Sequence, residues 1–371
     1  MRATAVLLCV AAIIAGFAQP LRGQSACTAS KVLCALTERV YPISSFEDVA
    51  SAVLIEPGLL VTNRHAVADN RRAQVSVPGG FQILADVVPT SYLGDLILLR
   101  APELTMAGKF EIAEATPTDV LHTIGVDVGR GQVRVYAPGR VILVPAIGKP
   151  LARLHHTAVS QPGNSGGALV NGSGQLVAIV TSGGDGRFEA VPASEIATLR
   201  QLSGPKHLFE SDRIGQAYKK CVEALDAVSS TRQRLDDSHV SFLVKQCGDS
   251  ENRQMIDLAG QTLGSQHRFD QSMLMFERAL TQDPNAINSR LSLAITLHMA
   301  RRYADEIPHL KQLIEVLQTD TQVLRLAIQA GKWGGNDAFA ETAFTLLKAH
   351  HPSLAARAKR FMEMPPPPAS P

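Results

Sequence analysis

Pro162-Gly163-Asn164-Ser165-Gly166-Gly167 is the stretch on which the reading of this 371-residue chain turns. A serine hydroxyl is a weak nucleophile until it has a base to take its proton, an exposed turn, and backbone donors for the developing oxyanion. Glycines on either side of Ser165 permit a tight turn. They also let the backbone N–H groups of Gly163, Asn164 and Ser165 converge as an oxyanion site. By itself the run is equally a glycine-rich turn joining two strands.

Two other segments change that balance. Leu60-Val61-Thr62-Asn63-Arg64-His65-Ala66-Val67 is an apolar strand that ends in a histidine, and Gly94-Asp95-Leu96-Ile97-Leu98-Leu99-Arg100 is an aspartate opening a buried strand. His65, Asp95 and Ser165 thus follow one another along the chain, each in a segment of its own. The order His, Asp, Ser is one of several solutions to a single triad geometry. With these residues in place and so spaced, the chain resembles a trypsin-fold serine protease of the HtrA/Deg type over roughly residues 45–200. Phe188-Glu189-Ala190-Val191-Pro192 resembles the strand that closes the second barrel of that family.

The resemblance implies that Ser165 is the nucleophile, His65 the general base and then acid, and Asp95 the residue that orients the imidazole. It implies that Thr181 supports Asp95, and that Ser182 and Gly183 pair with substrate as an added strand. Two departures from digestive trypsin-like enzymes carry information. Asn164 precedes the nucleophile where that branch has an aspartate, so a freed amino terminus has no carboxylate to pair with. Val159, shortly before Ser165, falls where the resembled fold has the base of its specificity pocket. An apolar floor offers nothing to a lysine or arginine and favours small or medium apolar side chains.

Arg2 followed by the apolar run Ala3–Ala18, with Gly16-Phe17-Ala18 at its end, reads as a signal peptide cleaved between 18 and 26. A retained anchor is the competing reading, and no other stretch is apolar enough to span a bilayer. Export implies periplasm or extracellular medium without separating them. Cys9 leaves with the signal, so Cys27, Cys34, Cys221 and Cys247 remain, with three pairings open to them. Local closure favours Cys27–Cys34 and Cys221–Cys247, and an oxidising compartment makes disulfides the default.

Short Val/Ile/Leu runs alternate with Gly, Pro and Asn between residues 45 and 200, as in Ser51–Ile55, Gln74–Val77, Leu96–Leu99, Gln132–Val135 and Leu176–Val180. That is an all-β pattern. After Gly204-Pro205 it gives way to long amphipathic helices. The expected fold is therefore a chymotrypsin-like double β-barrel over 27–204, a helical connection over 205–252, and helical repeats over 253–352. The last residues, 353–371, are a helix end and a proline-rich tail. The repeats resemble the tetratricopeptide family at an offset of 34: Leu263 recurs as Leu297, Arg268-Phe269 as Arg302-Tyr303, Phe276 as Leu310 and Ala279 as Leu313. Gly260 fits a close helix–helix approach and Pro284 ends the second helix of the first copy.

A formal charge of +2, from 36 basic and 34 acidic side chains, gives no electrostatic case for nucleic acid. His155-His156 and His350-His351 lack the i, i+4 spacing of a helical metal site, and no phosphate loop or dinucleotide fingerprint occurs. No cofactor or metal is implied. The function expected is an exported endopeptidase acting on polypeptides, its helical repeats binding substrate or a partner protein. The alternative is a catalytically silent protease fold that serves as a peptide- or protein-binding module.

Overall fold

The computed structural model of the protein describes residues 27–106, 109–231 and 234–366. The expected signal segment lies outside them, as does the end of the proline-rich tail. Strands β1 (Val40–Ser44), β2 (Ala50–Glu56), β3 (Leu59–Thr62), β4 (Arg72–Val77), β5 (Phe81–Val88) and β6 (Ile97–Arg100) close a barrel in the order β1-β2-β3-β6-β5-β4. The later strands are β7 (Val120–Asp127), β8 (Gln132–Val135), β9 (Gly139–Leu143), β10 (Leu154–His156), β11 (Ala168–Asn171), β12 (Leu176–Gly184) and β13 (Arg187–Pro192). They run β11-β12-β13-β10-β9-β7, with β11 pairing back onto β7 and β8 added outside β7 as a hairpin. This is the expected double barrel.

Burial on both faces explains why β2, β6 and the first part of β12 read as continuous apolar runs. In β2, Ala50, Ala52 and Leu54 fill the first barrel, and Val53 and Ile55 join the core between the barrels. In β6, Ile97 and Leu99 face inward, while Leu98 belongs to the same core as Ile124, Ala168 and Ile179 of the second barrel. Neither face tolerates a polar side chain without a partner. Ser51, on the same face as Val53, is the buried exception, and its bonds go to the loop that carries Ser165.

Helix α1 (Lys31–Leu36) precedes the barrels, and α2 (Glu195–Gln201) ends the second. Then follow α3 (Leu208–Thr231), α4 (Asp237–Asp249), α5 (Arg253–Ser265), α6 (Phe269–Gln282), α7 (Ile287–Met299), α8 (Tyr303–Val316), α9 (Thr321–Trp333), α10 (Asp337–His350) and α11 (Ala355–Glu363). The first helices of three successive hairpins start at Arg253, Ile287 and Thr321, and the second helices at Phe269, Tyr303 and Asp337. Each start repeats at the offset found in the sequence. The connecting turns repeat as well. His267, Arg301 and Gly335 all have positive φ, and the N–H groups of Arg268, Arg302 and Asn336 bond back to the carbonyls of Leu263, Leu297 and Gly331. That six-to-one bond is the Schellman closure of a helix C-terminus. Gly260 lies flush on the Phe276 ring, where a Cβ would meet a ring carbon at 2.7 Å.

Two disulfides staple the chain: Cys27–Cys34 beside α1, and Cys221–Cys247 between α3 and α4. The helical region packs against both barrels. α3 lies on the segment after His65, with Gly215 against the Ala68 backbone and Arg71 bonded to Asp212 at 2.6 Å. On the second barrel, Ile142 and Leu143 of β9 pack on the core of the later helices. Among the described residues no helix is long and apolar enough to cross a membrane.

Candidate active site

His65 sits in a single 3-10 turn, Arg64–Ala66, soon after β3. Neighbouring side chains fix that turn. Asn63 Nδ2 donates to the Asp95 carbonyl at 2.9 Å, and buried Arg64 donates to the carbonyls of Thr90 and Tyr92 at 3.0 and 2.9 Å. Asp95, at the mouth of β6, receives three bonds. His65 Nδ1 and Thr181 Oγ1 each reach Oδ2 at 2.6 Å, and the His65 backbone N–H reaches Oδ1 at 3.1 Å. Burial works to raise the Asp95 pKa, but the His65 charge and these bonds win and hold it at about 2. Burial likewise works to lower the His65 pKa, and Asp95 overcomes it, leaving the imidazole above its ordinary value.

Ser165 lies in the turn between β10 and β11. The Asn164 N–H donates to the Gln161 carbonyl at 3.0 Å, and Gly163 has φ +91. Proline second and a positive-φ glycine third make a type II turn. The Asn164 N–H, expected beside those of Gly163 and Ser165 as an oxyanion donor, is the group that closes this turn. The N–H groups of Gly163 and Ser165 have no acceptor among the described residues. The Asn164 side chain is buried and used locally, accepting from Gln161 N at 2.9 Å and donating to the Val126 carbonyl at 2.9 Å. Ser51 holds both ends of the loop. Its N–H donates to the Ser165 carbonyl at 2.8 Å, its hydroxyl donates to the Gly163 carbonyl at 2.7 Å, and Val126 N–H donates to that hydroxyl at 3.0 Å. Ser165 Oγ donates to the Thr181 carbonyl at 3.3 Å.

Val159 is 41% exposed, a few residues ahead of this loop. Thr181, Ser182 and Gly183 continue β12 past Val180, the last residue bonded to the segment leading into β11. From Thr181 onward one edge of β12 carries no partner strand among the described residues, while the other pairs Ser182 with Glu189 and Gly183 with Phe188. The structure thus gathers His65, Asp95, Ser165 and Thr181 into one bonded cluster. The strand Ser182-Gly183 leads away from it.

A histidine base on a buried carboxylate, beside a serine turn with two uncommitted N–H groups, is the layout of an acyl-transfer site. Residues 50–179 match the trypsin-like peptidase domain. The match contains His65, Asp95 and Ser165 and leaves the helical region outside. The chain is 30% identical over 162 residues to the serine protease Do-like HtrA of Lactobacillus helveticus, covering 38% of each chain. It is 26% identical over 178 residues to the periplasmic pH-dependent serine endoprotease DegQ of Escherichia coli, covering 43% of this chain and 38% of that one. It therefore spans 38% of the length of either relative. The crystal structure of the inactive form of the Rv3671c protease of M. tuberculosis aligns with a TM-score of 0.40 and 23% identity, over 46% of this chain and 92% of that one.

Outside the trypsin-like peptidase match, the helical region sends side chains toward the site that no local motif announced. Tyr218 of α3 lies on His65. Arg253 of α5 and Asp283, at the end of α6, enter a buried charge cluster with Arg153, His155 and Glu189 of the second barrel. Burial works against ionising Glu189, yet Arg253, His155 and Arg153 hold its pKa at about 2. Burial and the Glu189 charge raise Asp257, one turn along α5, to about 7. Apart from Arg153 and His155, the clustered residues are far apart in sequence, and an isolated Arg or Glu gives no sign of burial.

Proposed function

We propose that the protein is an exported serine endopeptidase that hydrolyses peptide bonds of polypeptide substrates through an acyl-enzyme. The relatives and the domain match support a serine hydrolase of this class. The observation that carries the reading is the Asp95 carboxylate, whose Oδ2 is bonded to His65 Nδ1 and accepts from the Thr181 hydroxyl, at 2.6 Å each, beside the Ser165 turn. In the proposed reaction Ser165 Oγ turns from the Thr181 carbonyl to His65 Nε2, gives up its proton and attacks the scissile carbonyl. The N–H groups of Gly163 and Ser165 take the oxyanion. His65 then protonates the leaving amine, and water releases the acyl group by the same steps.

Val159 at the pocket base favours small or medium apolar side chains before the cut bond. Asn164, neutral and bonded to Gln161 and to Val126 of β7, needs no ammonium partner, which supports activity without amino-terminal activation. Two disulfides fit an oxidising compartment, and one relative is described as periplasmic. The helical array is the region proposed to bind substrate or a partner, on faces that the barrels do not cover.

The second reading, a silent binding module, is favoured by one detail: Ser165 Oγ bonds to the Thr181 carbonyl rather than to His65. Labelling of the purified protein with a fluorophosphonate probe separates the two. The endopeptidase reading expects covalent labelling that Ser165→Ala abolishes, with cleavage of unfolded protein substrates. No labelling at any pH, with and without added peptides, selects the binding module.

A further inference from the structure

The β12–β13 hairpin carries the open edge Thr181–Gly184 and is anchored on its far side by the helical region. Ser182 Oγ accepts from Arg153 Nη1 at 2.9 Å, and the same nitrogen donates to Glu189 Oε2 at 3.1 Å. Arg253 grips Glu189 Oε2 with Nη2 at 2.6 Å and Nε at 3.2 Å, and turns Nη1 to Asp283 Oδ2 at 2.7 Å. Asp283 Oδ2 returns to the barrel, accepting from the Arg153 backbone N–H at 3.1 Å and lying 3.0 Å from His155 Nε2. Each carboxylate is therefore shared between barrel and helices. Closer to the hairpin tip, Arg187 bonds Asn288 Oδ1 of α7 at 3.2 Å and Asp320 Oδ2, at the start of α9, at 2.9 Å. The Arg187 carbonyl accepts from Asn288 Nδ2 at 3.1 Å.

Such an arrangement is costly to build and has no slack. Each domain supplies one buried arginine and one buried carboxylate. Parting the domains would leave Glu189 without Arg253 and Asp283 without the Arg153 N–H and His155, and a buried charge that loses a partner is strongly unfavourable. Gly183, at φ +120, could not carry a Cβ without striking the Arg187 carbonyl, so the edge residues follow β13 closely. Whatever fixes Arg187 and Glu189 fixes the edge of β12.

We propose that the helical region sets the substrate-pairing strand of the protease: Arg153 positions Ser182, and Arg253, Asn288 and Asp320 act through Glu189 and Arg187 to hold Thr181–Gly184 in extended register. This rests on the endopeptidase reading for its consequence in catalysis, but not for its structural content. A polypeptide bound along that edge gains main-chain bonds over several residues, whereas a fluorophosphonate needs only the serine, the base and the oxyanion donors. The helical region is thereby a determinant of KM for extended peptides.

The test uses the full mature chain with Asn288→Ala combined with Asp320→Asn, which removes the Asn288 contacts and the Asp320 charge from Arg187 while an asparagine retains the side-chain oxygen that caps α9. Arg253→Met is the second variant, read only if its unfolding remains cooperative. Expected are a KM raised about tenfold for a peptide extending well before the cut bond, kcat within about threefold, and an unchanged fluorophosphonate labelling rate. Amide hydrogen exchange over 181–187 should speed up in the same variants while exchange at 162–167 does not. Unchanged exchange over 181–187 in the double variant overturns the proposal, whether or not the protein proves to be a protease. Wild-type protein that never labels overturns the endopeptidase reading alone.

Discussion

The Tyr218 ring of α3 lies over the His65 imidazole, centroids 6.3 Å apart and planes at 28°, and Phe46 meets Tyr218 edge-on at 5.8 Å. A residue far along the chain, from the helical region, thus forms one wall of the site that holds His65. Both Tyr218 and His65 are buried. Tyr218→Ala should destabilise the protein by about 3–5 kcal/mol through the cavity it leaves. It should also slow fluorophosphonate labelling more than tenfold as the imidazole loses its wall, an effect comparable to a ~1 Å misplacement of the base. Tyr218→Phe keeps the ring and should leave stability within about 0.5 kcal/mol of wild type, with labelling unchanged. Urea unfolding and labelling rates check the pair.

Ser51 gives the next prediction. Ser51→Ala removes a buried hydroxyl that both accepts from Val126 and donates to Gly163, leaving two backbone groups unpaired. The cost should be about 1–3 kcal/mol. Because the lost bond orients the Gly163 peptide, labelling of Ser165 should fall by about tenfold or more under conditions where the variant remains folded. Labelling at the wild-type rate in a folded variant would detach Ser51 from the serine loop.

The His65–Asp95 pair dictates the pH response. The His65 pKa is raised, so its ion-pair contribution to stability is full below the unfolded value of about 6.5 and is lost as pH climbs through the folded value. Asp95 has the opposite sign: its contribution is present above 3.8 and is lost as pH falls toward about 2. The proposed mechanism needs neutral His65, so labelling should rise with pH to a plateau, with a midpoint above about 6.5. Asp95→Asn should lower the plateau by roughly 10⁴-fold by favouring the wrong tautomer. A midpoint at or below that of free imidazole contradicts the assignment.

Cys221 follows Tyr218 by one helical turn, and its bond to Cys247 joins α3 to α4. Replacing both cysteines with serine should cost about 3 kcal/mol. Labelling should weaken in parallel, because the disulfide fixes the helix that bears Tyr218. The Cys27–Cys34 bond closes a much shorter loop, so replacing that pair should cost less and leave labelling unchanged. Calorimetric melts of the two double variants, with labelling rates alongside, decide this.

Much of the architecture was legible because it rests on local rules. The segment from Leu60 read as an apolar strand and that after Asp95 as a buried one, and Leu60–Thr62 and Ile97–Leu99 are buried strands. The echo of Leu263, Phe269 and Phe276 reappears as helix pairs that recur at the same offset. The cysteine pairing favoured by local closure is the pairing present. Asn164 shows where local reading stopped. Its place in the motif was plain, but that its N–H closes a turn depends on the conformation of Gln161 and Gly163, which residue types alone do not fix.

Sequence by itself determined the triad candidates, the barrel-then-helix order and the repeat period, because each is written in residue type and spacing. Folding in three dimensions was needed to reveal that Ser51 bonds the serine loop, that Tyr218 walls His65, and that Arg253 and Asp283 join Arg153 and Glu189. The physical reason is common to all of these. Burial, charge pairing and ring contact depend on which distant segments meet, and a lone serine, tyrosine or arginine has the same appearance in a sequence whether it faces water or a partner from another domain.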